Sequence, residues 1–144
     1  MASDADRTVA LWRQLASVRR RVALDLDRSL RETLGYPANW IDTLIALASA
    51  PQGRQQVTDL ADQVGMTGGG LSTLANQMAD AGLIRRAPHP IDHRAVLIVL
   101  TPRGRRELRR ALPRYRDAIQ QTALGSLNRG SRPAAPAQSA RRVR

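Results

Sequence analysis

Four runs decide the fold: Thr58-Asp59-Leu60-Ala61-Asp62-Gln63-Val64-Gly65, then Met66-Thr67-Gly68-Gly69-Gly70-Leu71-Ser72-Thr73-Leu74-Ala75-Asn76-Gln77-Met78, then Ala81-Gly82-Leu83-Ile84-Arg85-Arg86, then Asp92-His93-Arg94 leading into Ala95 to Thr101. Leu60, Ala61 and Val64 mark a short amphipathic helix. Thr58 stands where a cap belongs, Asp59 and Asp62 suit its first turn, and Gly65 ends it. Thr67 caps a second helix whose buried stripe is Leu71, Leu74, Ala75 and Met78. Gly82 supplies a left-handed stop. Leu83-Ile84-Arg85 opens a strand, Ala87 to His93 forms a tip, and Ala95-Val96-Leu97-Ile98-Val99-Leu100 returns as a β-branched, apolar strand. Pro88 and Pro90 hold the tip extended and keep it from lengthening the sheet. Within about 45 residues this order spells a helix-turn-helix with a β-hairpin wing.

Working outward, residues 6–34 read as one long helix. Val9, Trp12, Leu15, Val18, Val22, Leu26, Leu30 and Leu34 recur every three or four residues, and Gly35 and Pro37 end the run. An ordinary core helix explains the stripe. Its length, about 29 residues against a mean of about 11–12, points to a helix that also packs against another subunit. Asn39 is placed to cap a helix from Trp40 to Ala48, and Ala50-Pro51-Gln52-Gly53 reads as a loop. Thr101-Pro102 is a cap followed by proline at the first helical position. The helix it opens carries Leu108, Ala111, Leu112, Tyr115, Ile119 and Ala123, with Pro113 expected to kink it. From Asn128 the chain turns to Gly, Ser, Pro, Ala and Arg, which predicts a disordered basic tail over 128–144. The expected fold class is therefore mainly α with a small β-hairpin wing. One winged helix-turn-helix domain spans 1–127, with its reading head at about 40–101 between long helices at 6–34 and 102–127.

Composition narrows the function. The chain has 144 residues and no cysteine, which excludes disulfides, thiolate metal sites and thiol redox chemistry. His89 and His93 sit beside prolines on the expected wing tip, with too few neighbouring ligands for a metal. No run of 18 apolar residues exists, so no membrane partner is expected. The acidic start, Met1 to Asp6, lacks a signal-peptide core, so a cytoplasmic protein, nucleoid-associated when on DNA, is the expectation. Net charge is +11, and all 23 basic residues are arginine. Residues 1–101 hold 11 arginines against 10 acids, net +1; residues 102–144 hold 12 against 2, net +10. The basic excess thus lies outside the reading head and favours general phosphate attraction more than sequence readout. Catalysis finds no support: the serines lack a base nearby in sequence, and Gly68-Gly69-Gly70 lacks the lysine and spacing of a phosphate loop. No cofactor is expected.

Binding finds more. The second helix of a helix-turn-helix lies in the major groove with its N-terminal residues toward the bases. Its unburied positions are Thr67, Gly69, Gly70, Ser72, Thr73, Asn76 and Gln77. Ser and Thr can meet bases or phosphates, and Asn or Gln can pair bidentately with adenine. No arginine lies between Met66 and Ile84, so guanine readout of that kind is absent from the helix. The plainer reading is a polar, solvated face. The three glycines either let the backbone approach a phosphate or base edge, or leave a frayed first turn. Arg86 and Arg94 flank the tip, and an arginine there suits the negative potential of a narrow minor groove. Asp92 is expected to brace the tip or to orient an arginine through an ion pair. Trp12, Tyr36, Trp40 and Tyr115 either line an aromatic-friendly ligand pocket or are plain core.

These residues resemble the MarR family of bacterial transcription regulators. Thr58 to Ala61 is similar to that family's entry to its first reading helix, Thr67 to Met78 to its recognition helix, and Ala81 to Arg86 to its exit into the wing. Asp92-His93-Arg94 with Leu100-Thr101-Pro102-Arg103-Gly104 resembles the family's wing signature, and Tyr36 to Trp40 adds a weaker match. The resemblance implies a homodimer built by the terminal helices, binding double-stranded DNA at a palindromic promoter site. It further implies repression relieved by a small aromatic or anionic effector. It places Thr67, Ser72, Thr73 and Asn76 on the recognition helix's DNA contacts and Arg94 in the minor groove. Two departures stand out. Thr73 and Gln77 occupy positions where the family often has arginine. The C-terminus also lacks the final amphipathic helix that interlocks the dimer. Those departures support an alternative reading, a degenerate winged-helix module that pairs with another regulator and binds DNA weakly or not at all.

Overall fold

The computed structural model describes residues 4–130. Five helices and three short strands follow in the order α1 (Asp4–Leu34), α2 (Ala38–Ser49), a 3-10 turn (Pro51–Gly53), β1 (Arg54–Gln56), α3 (Val57–Val64), α4 (Gly68–Asp80), β2 (Ile84–Pro88), β3 (Val96–Leu100) and α5 (Pro102–Gly130). The mainly helical winged architecture expected from the sequence is the one observed.

The sheet has three strands, not two. β3 lies in the middle of the order β1-β3-β2, antiparallel to both neighbours. Arg54 faces Val99 and Gln56 faces Leu97 on one side, and Ile84 faces Leu100 and Pro88 faces Val96 on the other. The run expected to be a plain loop thus contains a turn and an edge strand. Pro88, expected to stop the sheet, is its last paired residue instead. It lies on an edge strand, where a missing N–H costs no ladder bond. The tip then closes with the His89 N–H on the Ala95 carbonyl at 3.1 Å.

Several helix ends follow their sequence signals. Gly35, Gly65 and Gly82 have φ of +75°, +69° and +74°, the left-handed region where only glycine is free of strain. Thr67 caps α4, its Oγ1 accepting the Gly70 N–H at 3.1 Å. Two caps differ from expectation. Pro37, not Asn39, precedes the first turn of α2, and α3 starts at Val57 after Gln56, placing Thr58 inside it. The start of α2 is served from a distance: Asp27 on α1 accepts the Ala38 N–H at 2.9 Å and the Arg31 Nε–H at 2.7 Å. A carboxylate at a helix N-terminus satisfies an orphan donor and opposes the helix dipole.

Leu30, Ile41, Leu44, Leu47, Leu60, Leu71, Met78, Leu83, Ile84 and Ile98 form one fully buried core, each contributing about 2 kcal/mol by leaving water. It seats α4 and the wing on α2. The stripe of α1 behaves differently. Only Leu30 is buried; Leu26 and Leu34 pack beside it, while Val9, Trp12 and Leu15 are exposed. The core-helix reading of the first half of α1 is therefore overturned within a single chain.

α5 runs along α1 and α2 and continues through Pro113 to Gly130, so residues 128–130, expected in the tail, are helical. Proline has no N–H, which leaves one carbonyl of the preceding turn without its helical partner. The rest of the expected tail, 131–144, lies outside the described residues.

Candidate nucleic-acid interface

Helix α4 turns Leu71, Leu74, Ala75 and Met78 into the core. The opposite edge presents Thr67, Gly69, Thr73, Asn76 and Gln77 to solvent, with Gly70 and Ser72 half-buried between them. The chemistry left free at each is definite. Thr67 Oγ1 is used as an acceptor by the cap, so its hydroxyl proton can donate outward. Thr73 donates to the Gly69 carbonyl at 3.2 Å and keeps its lone pairs for an incoming donor. A Cβ added at Gly68 or Gly69 would meet nothing within 4 Å; at Gly70 it would press on Thr67 Oγ1 at 3.0 Å. The first turn is therefore bare on its outer side, and Gly70 is glycine to fit the cap.

The wing stands beside this helix. Ser72, Arg86 and Arg94 line one cleft of about 290 Å³ with Gln56, Thr58 and Val96. Arg86 spans it: its Nη2 donates to the Ser72 carbonyl and to Asn76 Oδ1, both at 3.0 Å. The tip is held by short local bonds. Asp92 Oδ1 accepts the Arg94 N–H at 3.0 Å, and His89 Nδ1 accepts the N–H groups of Ile91 and Asp92 at 3.2 and 3.1 Å. Asp92 thus braces the backbone; no ion pair links it to Arg94 among the described residues. The Arg94 side chain is left exposed at the mouth of the cleft. The sequence reading missed the parts of His89 and of Gln56 and Thr58. The tight His89-Pro90-Ile91-Asp92 spacing is the signal that could have shown the first.

The base of the wing is locked by Thr101. Its hydroxyl donates to the Gly82 carbonyl at 2.7 Å, with the Leu83 carbonyl also in reach at 2.9 Å, and accepts the Gly104 N–H at 3.0 Å.

Within the single chain the four aromatic residues do not share one site. Tyr36 and Trp40 stack with centroids 5.4 Å apart, but Trp12 is 71% exposed, on the part of α1 that makes no core contact. Tyr36 lines a cleft of about 370 Å³ between α1 and α5 with Thr33, Glu107, Arg110 and Arg114. Tyr115 instead donates its phenol proton to Asp42 on α2. Burial, then that bond and the Asp42 charge, raise its pKa above the usual phenol range. Among the described residues no group of three or more His, Cys, Asp or Glu is placed to hold a metal, and no helix is long and apolar enough to cross a membrane.

The MarR family model matches residues 34–95. Over these residues the chain is similar to the MarR family.

An uncharacterised HTH-type transcriptional regulator of Mycobacterium bovis is 36% identical over 87 residues, covering 53% of this chain and 60% of the relative. An HTH-type transcriptional regulator of Mycobacterium tuberculosis matches to the same extent. The match thus spans 60% of these relatives' length, under two thirds. Among solved structures, a MarR family regulator of Streptomyces coelicolor in complex with DNA superposes with a TM-score of 0.74 at 28% identity, covering 93% of this chain and 92% of that one. AbsC of the same organism gives 0.74 at 24% identity over 87% and 82%, which speaks for the fold. The winged MarR-type fold accordingly extends through α1 and α5.

Proposed function

We propose that the protein is a sequence-specific, double-stranded-DNA-binding transcription regulator. One observation carries the reading: Ser72, on the polar edge of α4, and the free Arg94 side chain of the wing line one cleft. That is the pair of probes a winged helix sends into adjacent grooves. The 28%-identical Streptomyces regulator, solved on DNA and matched along 92% of its length, supports it.

The proposed assembly is a homodimer. Val9, Leu11, Trp12 and Leu15 on α1, with Ile119 and Leu124 on α5, are large apolar residues 37–71% exposed in the single chain. Such residues suit a face covered by a second subunit. Two reading heads then call for a palindrome with half-sites about one helical turn apart. Repression relieved by an aromatic or anionic effector completes the proposal. The arginine-lined cleft beside Tyr36, between α1 and α5, is where an anionic effector would sit, and the cytoplasm is the compartment. A gel-shift of the chain's own upstream region, against unrelated duplex as competitor, tests the reading. Retardation of the first alone is expected, and equal retardation of both would overturn it. Sedimentation of the free protein tests the dimer.

A further inference from the structure

Arg86 is a candidate DNA contact on charge alone, yet one end of its guanidinium, Nη2, is already engaged. It sits on β2 and reaches α4, where the Ser72 carbonyl and Asn76 Oδ1 share its Nη2, each at 3.0 Å. A guanidinium has only donors, so the Asn76 atom facing it must be the oxygen. The amide orientation of Asn76 is set by its neighbour. Its NH2 group is left to face away, on an exposed residue in the third turn of the recognition helix.

This changes what Asn76 can read. Bidentate recognition of adenine needs both ends of the carboxamide, the oxygen accepting from N6 and the nitrogen donating to N7. With a cation's N–H groups on the oxygen, a second donor from adenine would crowd like-signed dipoles around one acceptor. The free NH2 instead suits an edge that offers only acceptors, such as guanine O6 and N7.

Resting on the DNA-binding reading above, we propose that Arg86 is a specificity-determining positioning residue. It ties the wing to the recognition helix and turns Asn76 into a pure hydrogen-bond donor toward the major groove. Arg86 itself is not a phosphate ligand. Wing and recognition helix then move as one body, so the spacing between groove contacts is set before DNA arrives.

The test compares wild type, Arg86→Met, Asn76→Ala and the double variant on operator duplexes with each base pair changed in turn. Methionine keeps the aliphatic stem and loses the donors. Wild type is expected to prefer guanine over adenine at one position of each half-site. Arg86→Met should lose that preference by about five- to a hundredfold, the span of one good base contact, and move toward adenine. The double variant should discriminate no less than Asn76→Ala. The salt slope of binding should stay as in wild type. An unchanged base profile with a slope shallower by about one per arginine removed would make Arg86 a phosphate ligand and overturn the proposal. A second readout needs no DNA: the Asn76 side-chain amide resonances of the free protein should move in Arg86→Met while those of Gln77 stay. Their immobility would also overturn it. A protein that retards no duplex overturns the DNA reading itself, and the amide readout tells that failure from failure of the tie.

Discussion

Gly104, in the first turn of α5, lies so close to the carbonyl of Leu83 at the start of the wing that an added Cβ would sit 2.0 Å from its oxygen. The same carbonyl accepts the Thr101 N–H at 3.1 Å. The return strand, the wing entry and the long C-terminal helix therefore meet at one point that only glycine can occupy. Gly104→Ala is expected to cost about 3 kcal/mol or more. That is the upper end of overpacking, because the atom met is backbone and cannot rotate away. Thermal unfolding should show a midpoint lower by about 6 °C or more.

Gly69 gives the opposite case. Nothing lies within 4 Å of a Cβ there, and alanine is the better helix former, by up to about 1 kcal/mol. Gly69→Ala should leave the melting temperature unchanged or raised. Close backbone approach to DNA would be blocked by the same methyl. Operator affinity is expected to fall by about tenfold, or 1.4 kcal/mol. A more stable protein with undiminished affinity would mean that the glycines only loosen the turn.

These two glycines also show what was readable in advance. Local devices were visible as residues: Thr67 before α4, the left-handed stops at Gly65 and Gly82, the Thr101-Pro102 start of α5. Each works through atoms a few residues away. What escaped depends on distant partners. β1 is Arg54-Gln55-Gln56, a polar triplet with no alternation, and it is a strand only because β3 offers a free edge. The α2 start is served by Asp27, eleven residues upstream, which makes a cap at Asn39 unnecessary. Arg86 finds its acceptors 14 and 10 residues back, across the cleft. The exposed front half of α1 carried a good apolar stripe, but periodicity alone does not say whether a stripe faces its own core or a second chain.

Asp27 carries an acid-sensitive prediction. Burial pushes its carboxyl up, but the Arg31 hydrogen bond, the Ala38 N–H and the Arg31 charge outweigh it and hold it below the ordinary aspartate value. A depressed carboxylate pKa contributes stability that is complete above the unfolded value and fades as pH falls through the folded one. Asp27→Ala should cost about 1 kcal/mol at neutral pH, as for loss of a helix cap. The gap from wild type should close below about pH 4 in denaturant titrations.

Tyr115 is the alkaline counterpart. Its folded pKa lies above the ordinary 10.0, so its contribution is complete below about pH 10 and is lost as pH rises beyond that. Tyr115→Phe removes the donor from Asp42 and should destabilise by about 1–2 kcal/mol at pH 7. Above about pH 10 the gap between the variant and wild type should begin to narrow. Convergence at any lower pH would show that the bond does not hold α5 to α2.

Arg94→Ala tests the wing. The bonds that order the tip run through the Arg94 backbone N–H, Asp92 and His89, and none uses the guanidinium. The variant should therefore melt with wild type. Its affinity for the operator is expected to drop about ten- to a hundredfold, and the salt slope to shallow as one cationic contact per subunit is lost. A narrow A·T minor groove attracts an arginine by its potential, and a guanine amino group there obstructs it. Replacing A·T by G·C at the wing position should thus weaken wild type by about as much as the mutation does, and should weaken Arg94→Ala little further. Additive losses would place Arg94 on the phosphates beside the groove rather than within it. Asp92→Ala supplies the control, since it frees the tip backbone while keeping the Arg94 guanidinium. A smaller loss of affinity with an unchanged salt slope is expected there.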